Sequence, residues 1–168
     1  MSKLIVLSGV PGSGKSYFCK KLLEYTTGHI YIVSSDQLRK EVGGHQQNLD
    51  NEATIWDMFY KLPKVYSEDK EGIVVLDSTN TLRKYRIDAN IDFKNYFDEI
   101  DLVYFDIEKD ILLKQNLERE FPIPSEAIIY YFDTFERPNE IDEAFFDNIY
   151  IIRERDFSSI IEEIIQKK

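Results

Sequence analysis

The sequence predicts an α/β domain: an open sheet of five parallel strands with helices on both faces. Three observations carry that expectation. Short aliphatic and β-branched runs alternate with longer helical patterns, as they do where helices cross over between parallel strands. The first run, Leu4-Ile5-Val6-Leu7, passes directly into the glycine-rich segment Gly9-Val10-Pro11-Gly12-Ser13-Gly14. No Gly/Ser linker, internal repeat or low-complexity tract divides the 168 residues, a length that fits one domain (1–168) with a sizeable core.

Taken in order, strands are expected over residues 3–7, 29–33, 73–76, 102–106 and 148–152. Helical patterns fill 15–25, 50–66 (where Pro63 threatens the last turn), 84–96, 111–119, 125–135 and 158–168. Pro122-Ile123-Pro124 enforces an extended break between two of these helices, because each proline disfavours helix in the residue before it. Ser125 is then a candidate N-cap for the second. A helix–hinge–helix at about 108–137 is either a lid over a site or an ordinary surface hairpin.

Composition narrows the class. Hydrophobic residues make up 43% and charged residues 31%, an ordinary globular balance. No apolar run approaches the roughly 20 residues of a membrane helix, so no membrane is expected as a partner. The short apolar start runs straight into glycines and reads as a strand rather than a leader. Cys19 is the only cysteine, which excludes an internal disulfide. With no export signal, a cytoplasmic location is expected. The net charge of −10 argues against a basic coat for gripping long nucleic acid. Residues 1–50 carry six Lys/Arg against four Asp/Glu, a net +2, while the remainder carries 15 against 27, a net −12. The part holding the glycine-rich loop is thus the less repulsive to an anion.

Gly9, Gly14, Lys15 and Ser16 match the pattern Gly-x4-Gly-Lys-Ser, after a strand and before a helix, which is the context a phosphate loop requires. Glycines let successive backbone N–H groups of Gly9–Ser16, including Gly12 and Ser13 beyond Pro11, turn inward on a β-phosphate, and the helix N-terminus adds its positive dipole end. Lys15 reaches the β- and γ-phosphates of ATP, and the Ser16 hydroxyl is suited to Mg²⁺. A chance match at four fixed positions arises in well under roughly one such chain in a hundred. The loop does not by itself name a reaction, since motors, switches and kinases share it.

The second substrate must be sought past the other strand ends, which face the ligand crevice of an open parallel sheet. Asp36 and Arg39 follow the second strand. Asp36 is either a base accepting the proton of an attacking hydroxyl or the cap of a helix over 37–42. Arg39, one helical turn on, is placed to hold a substrate phosphate. Asp77 closes the third strand, where a second carboxylate orients Mg²⁺, or serves as a turn residue. Asn80 is a turn residue or a substrate contact. Arg83, Lys84 and Arg86 form the densest basic cluster, a solvated helix start on the plainer reading. Arg119, just before the proline break, is either a mobile arginine for transition-state charge or a surface residue. His29 and His45 are too far apart for a metal site. Trp56, Phe59, Tyr60 and Tyr66 recur at near-helical spacing and read as packing residues rather than a base-stacking platform.

With these residues in view, the chain resembles the 5′-kinase domain of polynucleotide kinases, within the broader group of small AAA_33-type P-loop kinases, nearly end to end. Gly9–Ser16 looks like that family's phosphate loop, proline included. Ser34-Ser35-Asp36 with Arg39 resembles its Asp-x-x-Arg, which implies Asp36 as general base and Arg39 as holder of the phosphate on the substrate's 3′ side. Asp77-Ser78-Thr79-Asn80 with Arg86 is similar to its Asp-x-Thr-Asn…Arg segment, Asn116-x-x-Arg119 to its lid, and Phe135-Glu136-Arg137-Pro138 with Phe145 to its tail. The resemblance implies transfer from ATP, with Mg²⁺, to the 5′-hydroxyl of DNA or RNA, as in nucleic acid repair. Lys15 and Arg119 would stabilise charge, Arg119 would also contact ATP, and Asn80 and Arg86 would contact substrate. Two departures stand out. Gln115 replaces the usual first lid arginine, beside Lys114, and no Asp-x-Asp-Gly-Thr run of a 3′-phosphatase is present. The same scaffold serves kinases of small hydroxylated metabolites, and a nucleotide-binding switch that transfers nothing is the reading from another class.

Overall fold

The computed structural model describes residues 1–26 and 28–166. Five strands, β1 (Lys3–Ser8), β2 (Ile30–Ser34), β3 (Ile73–Asp77), β4 (Glu99–Phe105) and β5 (Asn148–Ile152), form one parallel sheet in the order β2-β3-β1-β4-β5. The expected five-stranded open parallel sheet is what the chain forms. The helices are α1 (Lys15–Tyr25), α2 (Ser35–Gly43), α3 (Glu52–Tyr66), α4 (Arg83–Phe93), α5 (Lys109–Leu117), α6 (Ser125–Thr134), α7 (Glu140–Glu143) and α8 (Ser158–Gln166). Residues 167–168 of the last expected helix lie outside the described residues.

Alternation along the central strand builds two cores. Ile5 and Leu7 of β1 face one side, with Phe18 and Leu22 of α1, Leu112 of α5 and Ile161 and Ile164 of α8. Leu4 and Val6 face the other, with Ile55 and Phe59 of α3 and Ala89 and Phe93 of α4. Both faces of β1 are fully buried, which is why its sequence is continuously apolar from Leu4 to Leu7. Because β1 sits between β3 and β4, the chain leaving it enters a crevice between crossovers running in opposite directions. Open α/β sheets bind their ligands at such a switch point.

Two local expectations need correction, and one short helix was not foreseen. Pro63 lies inside α3 and does not end it: Ile55, Phe59 and Pro63 recur every four residues along one buried face, and that packing outweighs the lost N–H bond. Ser125 is the first helical residue of α6 and not its cap; Pro124, with φ −56°, takes that position. The short α7 carries no apolar period, yet Asn139 and Asp142 form a capping box around it.

Candidate active site

A cleft of about 1250 Å³ runs across the carboxyl ends of the strands. Pro11–Ser16 form its floor. Toward β2 and β3 it is lined by Ser35, Asp36, Arg39, Trp56 and Asp77; toward β5 by Ile152, Arg153 and Phe157. Lys114, Gln115, Glu118 and Arg119 line it from the α5 end of the helical hairpin. Single small-ligand sites span roughly 300–1,000 Å³, so this one has room for a nucleotide and an acceptor side by side.

The loop takes its shape from its glycines. Gly14 sits at φ 106°, and a Cβ on Gly9 would fall 2.6 Å from the Ser13 hydroxyl and 3.0 Å from Phe105 Cβ. Lys15 is buried, and its ammonium donates to the Gly9 and Val10 carbonyls at 3.0 and 3.1 Å. Burial lowers its pKa, opposed by the charges of Asp77 and Asp36. Asp77 is buried behind the loop, and desolvation raises its pKa, opposed by the charge of Lys15 and the influence of the Ser16 and Ser34 hydroxyls. Lys15, Ser16, Asp77 and Asp36 are thus gathered at one place from three strand ends.

Two buried polar groups at this floor have no partner among the described residues: the Ser13 hydroxyl and Nη1 of Arg119. Arg119 lies over the loop, where a Cβ on Gly12 would meet its Cδ at 3.6 Å. Unsatisfied buried donors beside a loop of inward N–H groups are the complement of an anion such as a nucleotide polyphosphate. Asn116, one turn earlier, fixes the hairpin: its Nδ2 donates to the Ile123 carbonyl (2.7 Å) and its Oδ1 accepts from the Ile123 N–H (3.1 Å). The proline break is thereby pinned to α5.

On the β2 side, Ser34 and not Asp36 caps α2, its hydroxyl accepting from the Gln37 N–H. The Asp36 carboxylate is free of that duty and half-exposed in the cleft. Arg39 donates through Nη1 to Asp36 Oδ1 (2.9 Å), through Nε to Glu52 Oε1 (2.7 Å) and through Nη2 to Glu52 Oε2 (3.2 Å). The Trp56 indole N–H donates to the same Glu52 Oε2 (2.9 Å), and the Arg39 guanidinium lies 5.7 Å from its ring. The hydrogen bond between Arg39 and Glu52 raises the arginine's pKa and lowers the carboxyl's.

Asn80 and Arg86 do not face the cleft, and their expected substrate contacts are corrected. Asn80 Nδ2 donates to the Leu7 carbonyl (2.9 Å), bracing the β3 turn against β1. Arg86 is fully buried and donates to Asp142 and to the carbonyls of Asn80, Thr81 and Glu136. Sequence reasoning missed Glu52, which stands 13 residues from Arg39 with no motif to link them. It also read Trp56 as packing alone, whereas the indole lines the cleft. Among the described residues no group of three or more His, Cys, Asp or Glu could hold a metal ion.

This fold and floor define a small P-loop protein with the architecture of P-loop kinases. The chain belongs to the AAA_33 family (AAA domain), whose model matches residues 4–138. It is 28% identical over 172 aligned residues to the L-seryl-tRNA(Sec) kinase of Methanococcus maripaludis, covering 97% of this chain and 65% of that kinase's length. Kti12 of Chaetomium thermophilum, solved with ADP-AlF3, superposes with a TM-score of 0.73 at 19% identity over 98% of this chain and 96% of that one. A chain of the Pnkp1/Rnl/Hen1 RNA repair complex superposes at 0.68 with 25% identity, over 87% of this chain and 46% of its own. No helix among the described residues is long and apolar enough to cross a membrane.

Proposed function

We propose that the protein is an ATP-dependent kinase that transfers the γ-phosphoryl group to an alcohol hydroxyl. The observation that carries this reading is the meeting of Lys15, Ser16, Asp77 and Asp36 in one cleft beneath the unpaired Nη1 of Arg119. ATP would lie on Gly9–Ser16, with its base toward Ile152, Arg153 and Phe157. Ser16 and Asp77 would hold Mg²⁺, which supplies charge neutralisation on the phosphates. Asp36, exposed and released from capping, accepts the acceptor's proton. Lys15 and Arg119 balance charge on the phosphoryl group in flight. The α5–α6 hairpin serves as the lid that brings Arg119 there. A nucleotide switch has no use for a carboxylate presented this way.

Two acceptor classes fit. The 5′-hydroxyl of a polynucleotide is supported by the Asp36-x-x-Arg39 pattern and by the likeness to the RNA repair complex chain. A hydroxyl on a smaller group, including an amino acid carried on tRNA, is supported by the likeness to the seryl-tRNA(Sec) kinase. The engagement of Arg39 by two carboxylates favours the second. Incubation with labelled ATP and a panel of acceptors (5′-hydroxyl oligonucleotides, nucleosides, seryl-tRNA, sugars) tests both. Transfer that Asp36→Asn removes is the expected result. Hydrolysis without transfer to any acceptor would return the protein to the switch class.

A further inference from the structure

The acceptor side of the cleft holds one cation between two carboxylates. Of the five N–H donors of Arg39, three already point at carboxylate oxygens: Nε and Nη2 at Glu52, Nη1 at Asp36. The Nε/Nη2 edge, a fork that could grip a phosphate with two parallel bonds, is filled by Glu52 in that same two-bond geometry. Glu52 is tethered a second time by the Trp56 indole, and the indole ring lies beside the guanidinium. The trio Asp36, Arg39 and Glu52 carries a formal net charge of −1. A phosphate arriving here would have to part Glu52 from Arg39 and would meet two carboxylates as it did so.

We propose that Glu52 sets the acceptor class by occupying Arg39: the hydroxyl that is phosphorylated is flanked by a neutral or cationic group, not by a phosphate. This rests on reading the Asp36 side of the cleft as the acceptor site. Within it, Arg39 is a positioning residue that steadies the Asp36 carboxylate, and Glu52 with Trp56 steadies Arg39. The arrangement excludes the 3′-side phosphate that accompanies every polynucleotide 5′-hydroxyl. It admits the ammonium, amide or hydroxyl neighbours of an amino alcohol or a sugar.

Trp56 is the only tryptophan in the chain, so its fluorescence reports on this cluster without any turnover. With the phosphate loop filled by saturating Mg·ADP, inorganic phosphate is titrated into wild type, Glu52→Gln, Glu52→Asp and Glu52→Gln/Arg39→Ala. Wild type and Glu52→Asp should show no saturable change. Glu52→Gln, with Arg39 released, should show one at concentrations at least about tenfold lower than any wild-type response. The double variant should lose it. A wild-type response as tight as that of Glu52→Gln would overturn the proposal, as would silence in Glu52→Gln. Failure of every acceptor in the transfer assay would sink the kinase reading and leave this binding result standing, so the two can fail separately.

Discussion

Arg86 and Asp142 form an ion pair at 2.8 Å with both side chains fully buried, and it ties α4 to α7 across 56 residues of sequence. The guanidinium is saturated, since its remaining donors reach the carbonyls of Asn80, Thr81 and Glu136. Asp142 closes the capping box of α7 and also accepts from Arg83 at 3.0 Å. The segment that returns from α6 to β5 is therefore anchored beside the β3 turn, and that turn is anchored to β1 through Asn80 and through the Gly9 N–H on the Thr79 carbonyl.

Removing one partner of a buried pair leaves the other charge uncompensated, which costs on the order of 3–5 kcal/mol. Arg86→Ala is accordingly expected to lower unfolding free energy by about that amount, measured by urea denaturation. A loss below about 1 kcal/mol, with catalysis impaired instead, would restore Arg86 to the substrate-binding role its sequence position suggested.

Arg119 should behave in the opposite way. Its buried Nη1 makes no bond among the described residues, so little folding energy depends on it. Arg119→Ala should leave stability within about 0.5 kcal/mol of wild type, and lower kcat by about 10²-fold as a charge-stabilising group is lost. Unchanged turnover would mark it as a surface arginine, and the hairpin as no lid.

For Asp36, the expected effect is on the chemical step alone. Asp36→Asn keeps the shape and an oxygen for Arg39 but loses basicity, so kcat should fall at least about 10²-fold with KM for ATP unchanged. A change within a few-fold would remove Asp36 from the mechanism, and steady-state kinetics at saturating acceptor would decide it.

The parts legible in the sequence are those whose signal is local. The bounds of α1 and β5 were read as they stand, because a phosphate loop fixes one and an apolar run fixes the other. The loop and the strand-end carboxylates Asp36 and Asp77 converge as expected, since topology alone places them. What escaped is held by distant partners. β4 begins at Glu99, not at 102, because Glu99 and Asp101 are charges held inside a strand by Lys3 on the neighbouring β1 and by the Asn148 amide on β5. Arg86 looked like a basic surface residue because its partner lies 56 residues away. Arg39 looked free to bind phosphate because Glu52 joins it only when α2 and α3 pack together.

The Lys3 cluster at the amino ends of the strands yields a pH prediction. Lys3 is fully buried; its ammonium donates to the Ile164 carbonyl (3.0 Å) and lies 2.9 Å from Glu99 and 3.5 Å from Asp101. Two carboxylates share that one cation. Burial is the chief cause that raises the Asp101 pKa from 3.8 to about 6, opposed by the amide of Asn148, which donates to it at 2.8 Å. The folded state therefore holds this proton more tightly than the unfolded chain does. Between about pH 4 and 6 the native form binds more protons at this site, so its contribution to stability falls as pH rises through that window and stays lost above it. Other carboxylates act in reverse: Glu52 and Asp142 have lowered pKa values and weaken the fold as pH falls. Asp101→Asn removes the group that takes up this proton, while asparagine keeps an acceptor for Asn148 and leaves Lys3 paired with Glu99. Urea unfolding of both proteins from pH 4 to 7 should show wild type losing stability relative to Asp101→Asn as pH rises toward 6, with a constant difference beyond. A difference that is flat throughout would mean that Asp101 titrates near its ordinary value and that Lys3 fully compensates its burial.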